Sequence, residues 1–515
     1  SWKPTRQVRG TVVYPAGRIN ELNQILAQAR IDYPDKQNGA PVAVERELLA
    51  SPFGLFCLLQ TWVSTRQQDY ALLPLLQNAP HFTTARRAGG NWSLTPNGNK
   101  LSAAIAAASA ADGIKTLVFV QSTVLAQSSS KEFRERLETA PIALQEQEAK
   151  LYKLASEEMG GPDYCYLTLE DDGTFLGGAI CHHALLLREE RHLHESLFKR
   201  PDGINVLFAT STLAQGMNLP SEIVIISGDS RFDAGADKMA VLEAHELLNA
   251  AGRAGRAGER SQGFVLVVPS RVIHFDEQTG VIDGHWGVLR KIFEQGDQCL
   301  AIEDPLVALL DKIHDGAANS GMPAYLLSKL PISAGDEPDA AAKALLSRSF
   351  AARRAAVEGR QDWIDSRIAA ALAARDAAEP DGNDSWLEII ASSTGVSIGV
   401  LKSLEALVDS GVLTDVDASG AMGALFDWIG AKPAMLLDLV RPENFDGLFG
   451  EPYKRLETDE ERGEYALPTL RTLLPLWLAG IPLVEIERQH LGTDNVGLCK
   501  YARHFVLRIV PDLAD

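Results

Sequence analysis

The sequence has few cysteines, few aromatic residues and no long apolar run. Aromatic side chains make up 7% of the 515 residues. No CxxC pair occurs among the cysteines, which are Cys57, Cys165, Cys181, Cys299 and Cys499. An odd and dispersed set favours reduced thiols in a cytoplasmic protein over disulfides or a zinc site. The longest apolar runs, residues 53–63 and 473–484, are too short to cross a bilayer. We therefore predict no membrane segment.

The chain also lacks an excess of positive charge. Its formal net charge is −19, whereas proteins that coat nucleic acid without sequence preference carry a basic surface. This composition excludes that class of protein. It still allows one basic track on an acidic body, so the positions of the arginines matter more than their number.

Strands and helices alternate through the middle of the chain, which predicts a parallel α/β sheet with crossover helices. The predicted strands are residues 116–120, 175–181, 205–209, 222–227 and 263–268. The predicted helices between them are residues 131–159, 188–199 and 241–252. We predict one doubly wound domain here, with its outer limits at residues 113–332.

The flanking segments are harder to interpret. Residues 1–112 form a segment of uncertain fold, in which residues 5–14 predict a strand, residues 19–31 a helix and residues 44–76 two helices. Residues 333–339 are a polar linker that contains Pro and Gly. Beyond it we predict mostly helical domains at residues 340–415 and 416–515. The first includes a helix-turn-helix at residues 385–410.

Two segments carry the chemistry. Residues 206–209 are apolar and lead into Thr210-Ser-Thr212 and a glycine, as expected for a buried strand whose carboxyl end opens into a polar, ligand-binding turn. The second segment is Asn249-Ala-Ala-Gly-Arg-Ala-Gly-Arg256. It places two arginines three residues apart, and each follows a glycine that leaves the neighbouring backbone without a side chain. Two fixed guanidinium groups near a phosphate site stabilise the charge on a phosphoryl group in transfer.

Together, these residues resemble the second RecA-like domain of superfamily 2 helicases, most closely the Ski-type DExH branch. Thr116-Leu-Val-Phe-Val-Gln-Ser122 is similar to that family's motif IV, and residues 181–198 to its His-His-Ala-Gly-Leu segment. Residues 210–220 are similar to motif V and residues 249–256 to motif VI. The resemblance implies a RecA-like sheet followed by winged-helix-like and ratchet-like helical domains.

The resemblance also implies roles for individual residues. Arg253 and Arg256 match the motif VI arginines that contact the γ-phosphate, one of them as the arginine finger. The positions that approach the nucleotide are Gly216, Asn218, Gly252 and Asn249, where Asn249 stands in place of the usual Gln or His. Ser122, Thr210 and Thr212 match hydroxyl positions that hold the phosphates of a DNA or RNA strand. Short hydroxyl side chains suit that contact because it needs donors without base specificity.

The sequence lacks two elements that a complete helicase of this family uses to bind and hydrolyse ATP. It contains no Gly-x-x-x-x-Gly-Lys-Ser/Thr loop to hold phosphates and no Asp-Glu-x-Asp/His segment after a strand. In the family, a first RecA-like domain supplies both elements and binds most of the ATP and Mg²⁺. The resemblance therefore implies the C-terminal portion of a helicase whose partner is an N-terminal RecA-like domain, and predicts that the isolated chain does not hydrolyse ATP.

Several alternatives remain open from the sequence. His182, His183, His192 and His194 could bind a metal ion, although their spacing favours packing roles. The helix-turn-helix could read bases, but its few arginines favour a scaffold. In the last helix, Lys500, Arg503 and Arg508 share one predicted face, which could follow a nucleic-acid strand or be solvated. Finally, the chain could be an ATP-independent scaffold that reuses a helicase fold.

Overall fold

The computed structural model describes most of the chain in two compact units, Ser1–Leu300 and Ala301–Asp515. The described residues are 6–36, 38–86, 91–210, 219, 221–233, 238–241, 244–255, 262–297, 305–316, 323, 326–327, 329–330, 339–377, 385–394, 396 and 398–514. The boundary predicted at residue 113 falls inside the first unit.

The first unit is built on one large sheet with smaller hairpins beside it. Its strands are β1 (Arg6–Pro15), β2 (Phe53–Cys57), β3 (Tyr70–Pro74), β4 (Thr83–Arg86), β5 (Trp92–Thr95), β6 (Thr116–Phe119), β7 (Ile142–Ala143), β8 (Thr174–Phe175), β9 (Ala179–His182), β10 (Val206–Ala209), β11 (Ile223–Ser227), β12 (Ser230–Asp233), β13 (Lys238–Val241), β14 (Gln262–Val268), β15 (Ile273–Phe275) and β16 (Ile282–Gly284). The main sheet has the order β16-β15-β1-β14-β11-β6-β10-β9, and β2 and β3 extend from β1. The strands from β1 to β9 in this order are all parallel.

Helices cover both faces of this sheet. They are α1 (Ala16–Asp32), α2 (Val42–Glu45), α3 (Gly98–Ala111), α4 (Thr123–Arg134), α5 (Glu146–Met159), α6 (Arg188–Lys199), α7 (Ala244–Ala251) and α8 (Trp286–Asp297). One core cluster joins the sheet to α1, α3 and α4, and the other joins it to α6, α7 and α8. Because both faces are covered, β6 and β10 are buried along their whole length. This is the doubly wound α/β arrangement that the sequence predicts.

The local predictions are confirmed for the strands at residues 116–120, 205–209, 222–227 and 263–268. The single strand predicted at residues 175–181 is wrong, because β8 ends at Phe175 and only β9, from Ala179, belongs to the main sheet. Two helical predictions are also wrong. Residues 44–76 contain the β2–β3 hairpin, and the only α-helical residues among them are the end of α2, instead of the two predicted helices. Four of the five consecutive residues of β2 are buried, so the run carries no periodicity that distinguishes strand from helix. Residues 131–159 are not one helix, because α4 ends at Arg134 and α5 begins at Glu146. Pro141 lies in the intervening segment, where it prevents a continuous helix.

β1, from the N-terminal segment, is a strand of the main sheet. It pairs with β14 through residues Arg6 to Thr11 and with β2 through residues Arg9 to Val13. The predicted strand at residues 5–14 is therefore correct, and it lies inside the main sheet. Among the described residues, all four cysteines are buried thiols: Cys57, Cys165, Cys181 and Cys499.

A partly buried lysine before β6 makes the stability of this unit depend on pH. Lys115 Nζ donates to the carbonyl oxygens of Arg200 and Ile204, each at 2.8 Å. Burial lowers the pKa of Lys115 to about 8, and the charge of Asp202 offsets part of that effect. Because the unfolded chain then holds more protons than the folded one, the contribution of this group to the free energy of unfolding rises from about pH 8 to about pH 10.4.

We therefore expect the difference in thermal midpoint between the parent chain and Lys115→Met to grow in favour of the parent between about pH 7.5 and about pH 10. Thermal denaturation of both proteins at a series of pH values measures it. A difference that stays constant across this interval would contradict the lowered pKa.

Helices joined by turns and loops make up the described residues of the second unit. Its helices are α9 (Pro305–His314), α10 (Ala340–Ser347), α11 (Phe350–Val357), α12 (Gln361–Ala377), α13 (Ser385–Thr394), α14 (Ile398–Asp409), α15 (Ala418–Gly430), α16 (Leu436–Leu439), α17 (Pro442–Phe449), α18 (Glu451–Lys454), α19 (Asp459–Leu478), α20 (Leu483–Leu491), α21 (Lys500–His504) and α22 (Val510–Ala514). The predicted helix-turn-helix corresponds to α13 and α14, which pack through Leu387, Ala391 and Leu401. Within the described part of the chain, no helix is long and apolar enough to cross a membrane.

Candidate functional site

The motif VI segment forms a tight turn at the amino edge of the main sheet. Helix α7 ends at Ala251, and the turn from Gly252 to Gly255 leads toward β14. Ser221, which precedes β11, pairs with Ala254 in an isolated bridge. The turn therefore lies where β11 and β14 begin, and it is anchored to the sheet by its own backbone.

Side chains and backbone groups from two directions fix this turn. The Ser221 hydroxyl donates to the carbonyl of Arg253 at 2.8 Å, and the Gly255 N–H donates to the carbonyl of Ser221 at 3.0 Å. From β1, the Gln7 side-chain amide donates to the carbonyls of Ala251 and Ala254, at 2.9 and 2.8 Å. The backbone on both sides of Arg253 is thus held by hydrogen bonds.

The glycines of the turn are required by its geometry. Gly255 has a φ of +60°, a conformation that residues with a side chain rarely adopt. A Cβ at Gly255 would lie 2.8 Å from the carbonyl carbon of Gln262, and a Cβ at Gly263 would lie 2.6 Å from the backbone of Ala254. The turn and the first residues of β14 therefore pack backbone against backbone.

The predicted nucleotide-binding residues fall partly on this turn. The Arg253 side chain is 8% exposed, whereas Asn249 and Gly252 are exposed at the end of α7 and just after it. Arg256, Gly216 and Asn218 lie outside the described residues. The structure thus gives Arg253 a fixed and mostly buried position, with Asn249 and Gly252 at the surface beside it.

The predicted phosphate-binding hydroxyls lie at the opposite edge of the sheet. Ser122 follows β6 and is the N-cap of α4, where its hydroxyl accepts from the Leu125 N–H at 3.2 Å. Thr210 follows β10, is 8% exposed, and its N–H donates to the carbonyl of His182 at 3.1 Å. Because β6 and β10 are adjacent and parallel, the two residues share the carboxyl edge. Thr212 lies outside the described residues.

The N-terminus of α4 adds to the chemistry of this edge. The first amides of a helix carry partial positive charge and bind phosphate groups, and α4 begins directly after Ser122. The carboxyl edge therefore offers N–H donors as well as hydroxyl groups. Such donors contact a phosphate backbone without reading the bases.

Two described residues mark where the segment similar to motif V, residues 210–220, starts and where the chain resumes after it. Thr210 follows the carboxyl end of β10, and Ser221, directly after the segment, lies beside Arg253 at the amino edge. Strands of four residues separate the edges by roughly 13 Å. The two candidate groups therefore form two separate sites instead of one pocket.

A polar cluster at the carboxyl edge fixes the root of the β12–β13 hairpin. The Asp229 carboxylate accepts from the Ser270 N–H at 2.8 Å and lies 2.5 Å from His285 Nε2. Burial alone would raise the pKa of the Asp229 carboxyl, but the hydrogen bonds from His285 and Ser270 hold it below its usual range. The hairpin therefore begins directly after a charged carboxylate that is held by two hydrogen bonds.

The histidines near β9 take part in internal hydrogen bonds. His194 Nδ1 lies 2.7 Å from the carbonyl oxygen of Cys181, and His182 Nε2 lies 3.4 Å from the Glu195 carboxylate. His192 is exposed. Across the described residues, no group of three His, Cys, Asp or Glu side chains could hold a metal ion.

The predicted basic face of the last helix is wrong at Arg503. This side chain is completely buried, and its Nε donates to the carbonyl of Leu498 at 2.8 Å. Lys500 and Arg508 are exposed. A π-helical segment, Phe505–Ile509, separates α21 from α22. It changes the helical phase, so α-helical spacing does not describe this segment.

Sequence reasoning missed two sets of residues. Gln7, Arg9 and Thr11 place three polar side chains on one face of the predicted strand β1, which is an unusual pattern beside a core. Two of these residues, Gln7 and Arg9, form a polar network under motif VI, and the pattern could have indicated it. Asp229 and His285 are 56 residues apart, and no spacing in the sequence brings them together.

Curated relatives match parts of the chain. The RQC trigger complex helicase SLH1 of Saccharomyces cerevisiae is 40% identical over 90 residues, which are 18% of this chain and 4% of that protein. Activating signal cointegrator 1 complex subunit 3 of Danio rerio is 36% identical over 103 residues, 20% of this chain and 7% of that protein. The ATP-dependent DNA helicase Hel308 of Pyrobaculum calidifontis is 28% identical over 214 residues, 40% of this chain and 29% of that protein. The chain therefore spans less than a third of each of these relatives.

The other comparisons add less. A solved structure titled as the DUF1998 helicase MrfA bound to DNA aligns with a TM-score of 0.24 and 15% identity, over 47% of this chain and 29% of that one. So low a score carries no argument about either fold or function. No family model matches the sequence.

Proposed function

Since the chain carries the C-terminal region of a superfamily 2 helicase, we propose that it is the second half of an ATP-dependent nucleic-acid helicase or translocase. The observation that carries the proposal is the motif VI turn, in which Arg253 is fixed by donors from Gln7 and Ser221. A preorganised arginine turn is what stabilisation of a phosphoryl-transfer transition state requires.

In this proposal the two edges of the sheet have different ligands. At the amino edge, Arg253 supports the γ-phosphate, and Gly252 and Asn249 lie beside the nucleotide. Arg256 has the role of the arginine finger. Gly216 and Asn218 approach the nucleotide sugar and phosphates from motif V. At the carboxyl edge, Ser122 and Thr210 hold the phosphates of a strand, and Thr212 has the same role. In the second unit, Lys500 and Arg508 are separate candidate contacts to nucleic acid.

The first, N-terminal RecA-like domain completes the site. It carries the phosphate-binding loop and the acidic segment, binds most of the ATP and Mg²⁺, and is either encoded in the same gene or present as a separate subunit. Closure of the two domains on ATP brings the arginines to the γ-phosphate, and hydrolysis releases them. Repeated closure then moves the strand.

The test is ATP hydrolysis by this chain alone, by the partner domain alone and by the two together, with and without a single strand. We expect turnover only in the mixture, and faster turnover with the strand present. The curated relatives include an ATP-dependent DNA helicase and an ATP-dependent RNA helicase. Parallel assays therefore use single-stranded DNA and single-stranded RNA. Hydrolysis by this chain alone would overturn the proposal that two domains share the ATP site.

The competing function is an ATP-independent scaffold that binds a strand or a protein. The low exposure of Arg253, at 8%, favours a structural role for that one side chain. Turnover that is unchanged by substitution of both Arg253 and Arg256 would favour the scaffold. Loss of turnover with retained strand binding would favour the helicase.

A further inference from the structure

Gln7 lies beneath the motif VI turn and holds it from the neighbouring strand. It stands near the start of β1, on the face that also carries Arg9 and Thr11. Its side-chain NH₂ group donates to the carbonyl of Ala251 at 2.9 Å and to that of Ala254 at 2.8 Å. These two carbonyls lie on either side of Arg253 in the sequence. Gln7 therefore fixes the backbone that carries this arginine.

The orientation of the Gln7 amide is itself determined by its neighbours. Arg9 Nη2 donates to Gln7 Oε1 at 3.1 Å. Since a guanidinium group can only donate, the oxygen of the amide faces Arg9 and the NH₂ group faces the turn. Both hydrogens of that group are then used on the two carbonyls of motif VI.

Arg9 is anchored in turn by the region around α8. Its Nη1 lies 3.7 Å from an oxygen of Asp297, and its guanidinium carbon lies 5.3 Å from the centre of the Trp62 ring. Asp297 also accepts from the N–H groups of Trp62 and Val63, at 2.8 and 3.1 Å. Trp62 stacks on Phe293 of α8, with the ring centres 4.5 Å apart. A continuous buried network thus leads from α8 to the arginine turn.

We propose that Gln7 is a positioning residue for ATP hydrolysis, acting on the motif VI arginines through the backbone of their turn. This inference rests on the proposed function. Gln7 binds neither nucleotide nor nucleic acid in this arrangement, and its contribution is to fix where the guanidinium groups begin. Geometry of this kind matters because a misplacement of about 1 Å costs a catalytic group about a hundredfold in rate.

The experiment uses the complete ATPase, formed by this chain and the domain that carries the phosphate-binding loop. Gln7→Leu removes both donors while keeping a side chain of similar size. We expect kcat to fall about 10- to 100-fold, while the KM for ATP and the Kd for single-stranded nucleic acid change by less than about twofold. Gln7→Glu, which keeps the shape but faces the carbonyls with an acceptor, should lose kcat to the same extent.

Thr11→Val is the matched control. Thr11 lies on the same face of β1, and its hydroxyl donates to the carbonyl of Val267 at 3.1 Å, away from the motif VI turn. This variant also loses a buried hydrogen bond, so its thermal midpoint should fall, but its kcat should match that of the parent. A kcat loss in Thr11→Val equal to that in Gln7→Leu would show a general effect of destabilisation and overturn the proposal.

Arg253→Ala and Arg256→Ala separate this inference from the function on which it rests. If neither affects turnover, the proposed function fails and the role of Gln7 fails with it. If either abolishes turnover while Gln7→Leu and Gln7→Glu keep the kcat of the parent, only the positioning role is overturned. Loss of turnover in the arginine variant and in both Gln7 variants, with Thr11→Val unaffected, supports both proposals.

Discussion

Arg256→Ala is expected to lower the kcat of strand-stimulated ATP hydrolysis by about three to five orders of magnitude in the complete enzyme. An arginine finger neutralises charge that develops on the phosphoryl group only in the transition state. Its loss therefore affects turnover far more than the binding of ATP. Steady-state hydrolysis at saturating ATP measures the effect, and a binding assay with a single strand verifies that the variant still engages nucleic acid.

Arg136→Ala is the control for this prediction. Arg136 is a partly exposed arginine of the same unit, and it pairs with Glu132 at the surface. Its removal deletes one positive charge from the domain without touching the motif VI turn, so turnover should stay within about twofold of the parent. Equal losses in the two variants would mean that total charge, and not the position of Arg256, determines the rate.

Gly255→Ala is expected to destabilise the first unit strongly, even in this chain without any partner. The residue has a φ of +60°, and a Cβ there would lie 2.8 Å from the carbonyl carbon of Gln262. Left-handed strain and a collision with backbone act together, so we expect the free energy of unfolding to fall by at least about 3 kcal/mol. Chemical denaturation followed by circular dichroism measures it.

Gly287→Ala provides the comparison. A Cβ at Gly287 would meet nothing within 4 Å, and the residue lies in α8, where alanine is the better helix former. This substitution should leave the stability unchanged or raise it by up to about 1 kcal/mol. Comparable losses in both variants would contradict the role assigned to the conformation of Gly255.

The central strands could be predicted from the sequence because their signal is local. The segments at β6, β10, β11 and β14 are short apolar runs bounded by polar turns, and helix α6 matches its predicted limits. The motif VI turn could also be located, since Gly252 and Gly255 punctuate it. In each case, a few consecutive residues contain the information.

The remaining features depend on contacts between distant parts of the chain. Residues 53–57 form a strand because β1 and β3 lie on either side of them, and no periodicity within the run reports those neighbours. Arg503 is completely buried and interacts electrostatically with Glu487 of the preceding helix, α20. Gln7 reaches carbonyls 244 and 247 residues away. Patterns along the sequence cannot express such separations.

The placement of the candidate residues at opposite edges of one sheet has a mechanical consequence. Parallel strands that are hydrogen-bonded on both sides are stiff along their length. The amino edge with Arg253 and the carboxyl edge with Ser122 and Thr210 therefore move together as parts of one rigid sheet. In the proposed enzyme, a rotation of this domain about an axis between the two edges would move the arginine end and the hydroxyl end in opposite directions.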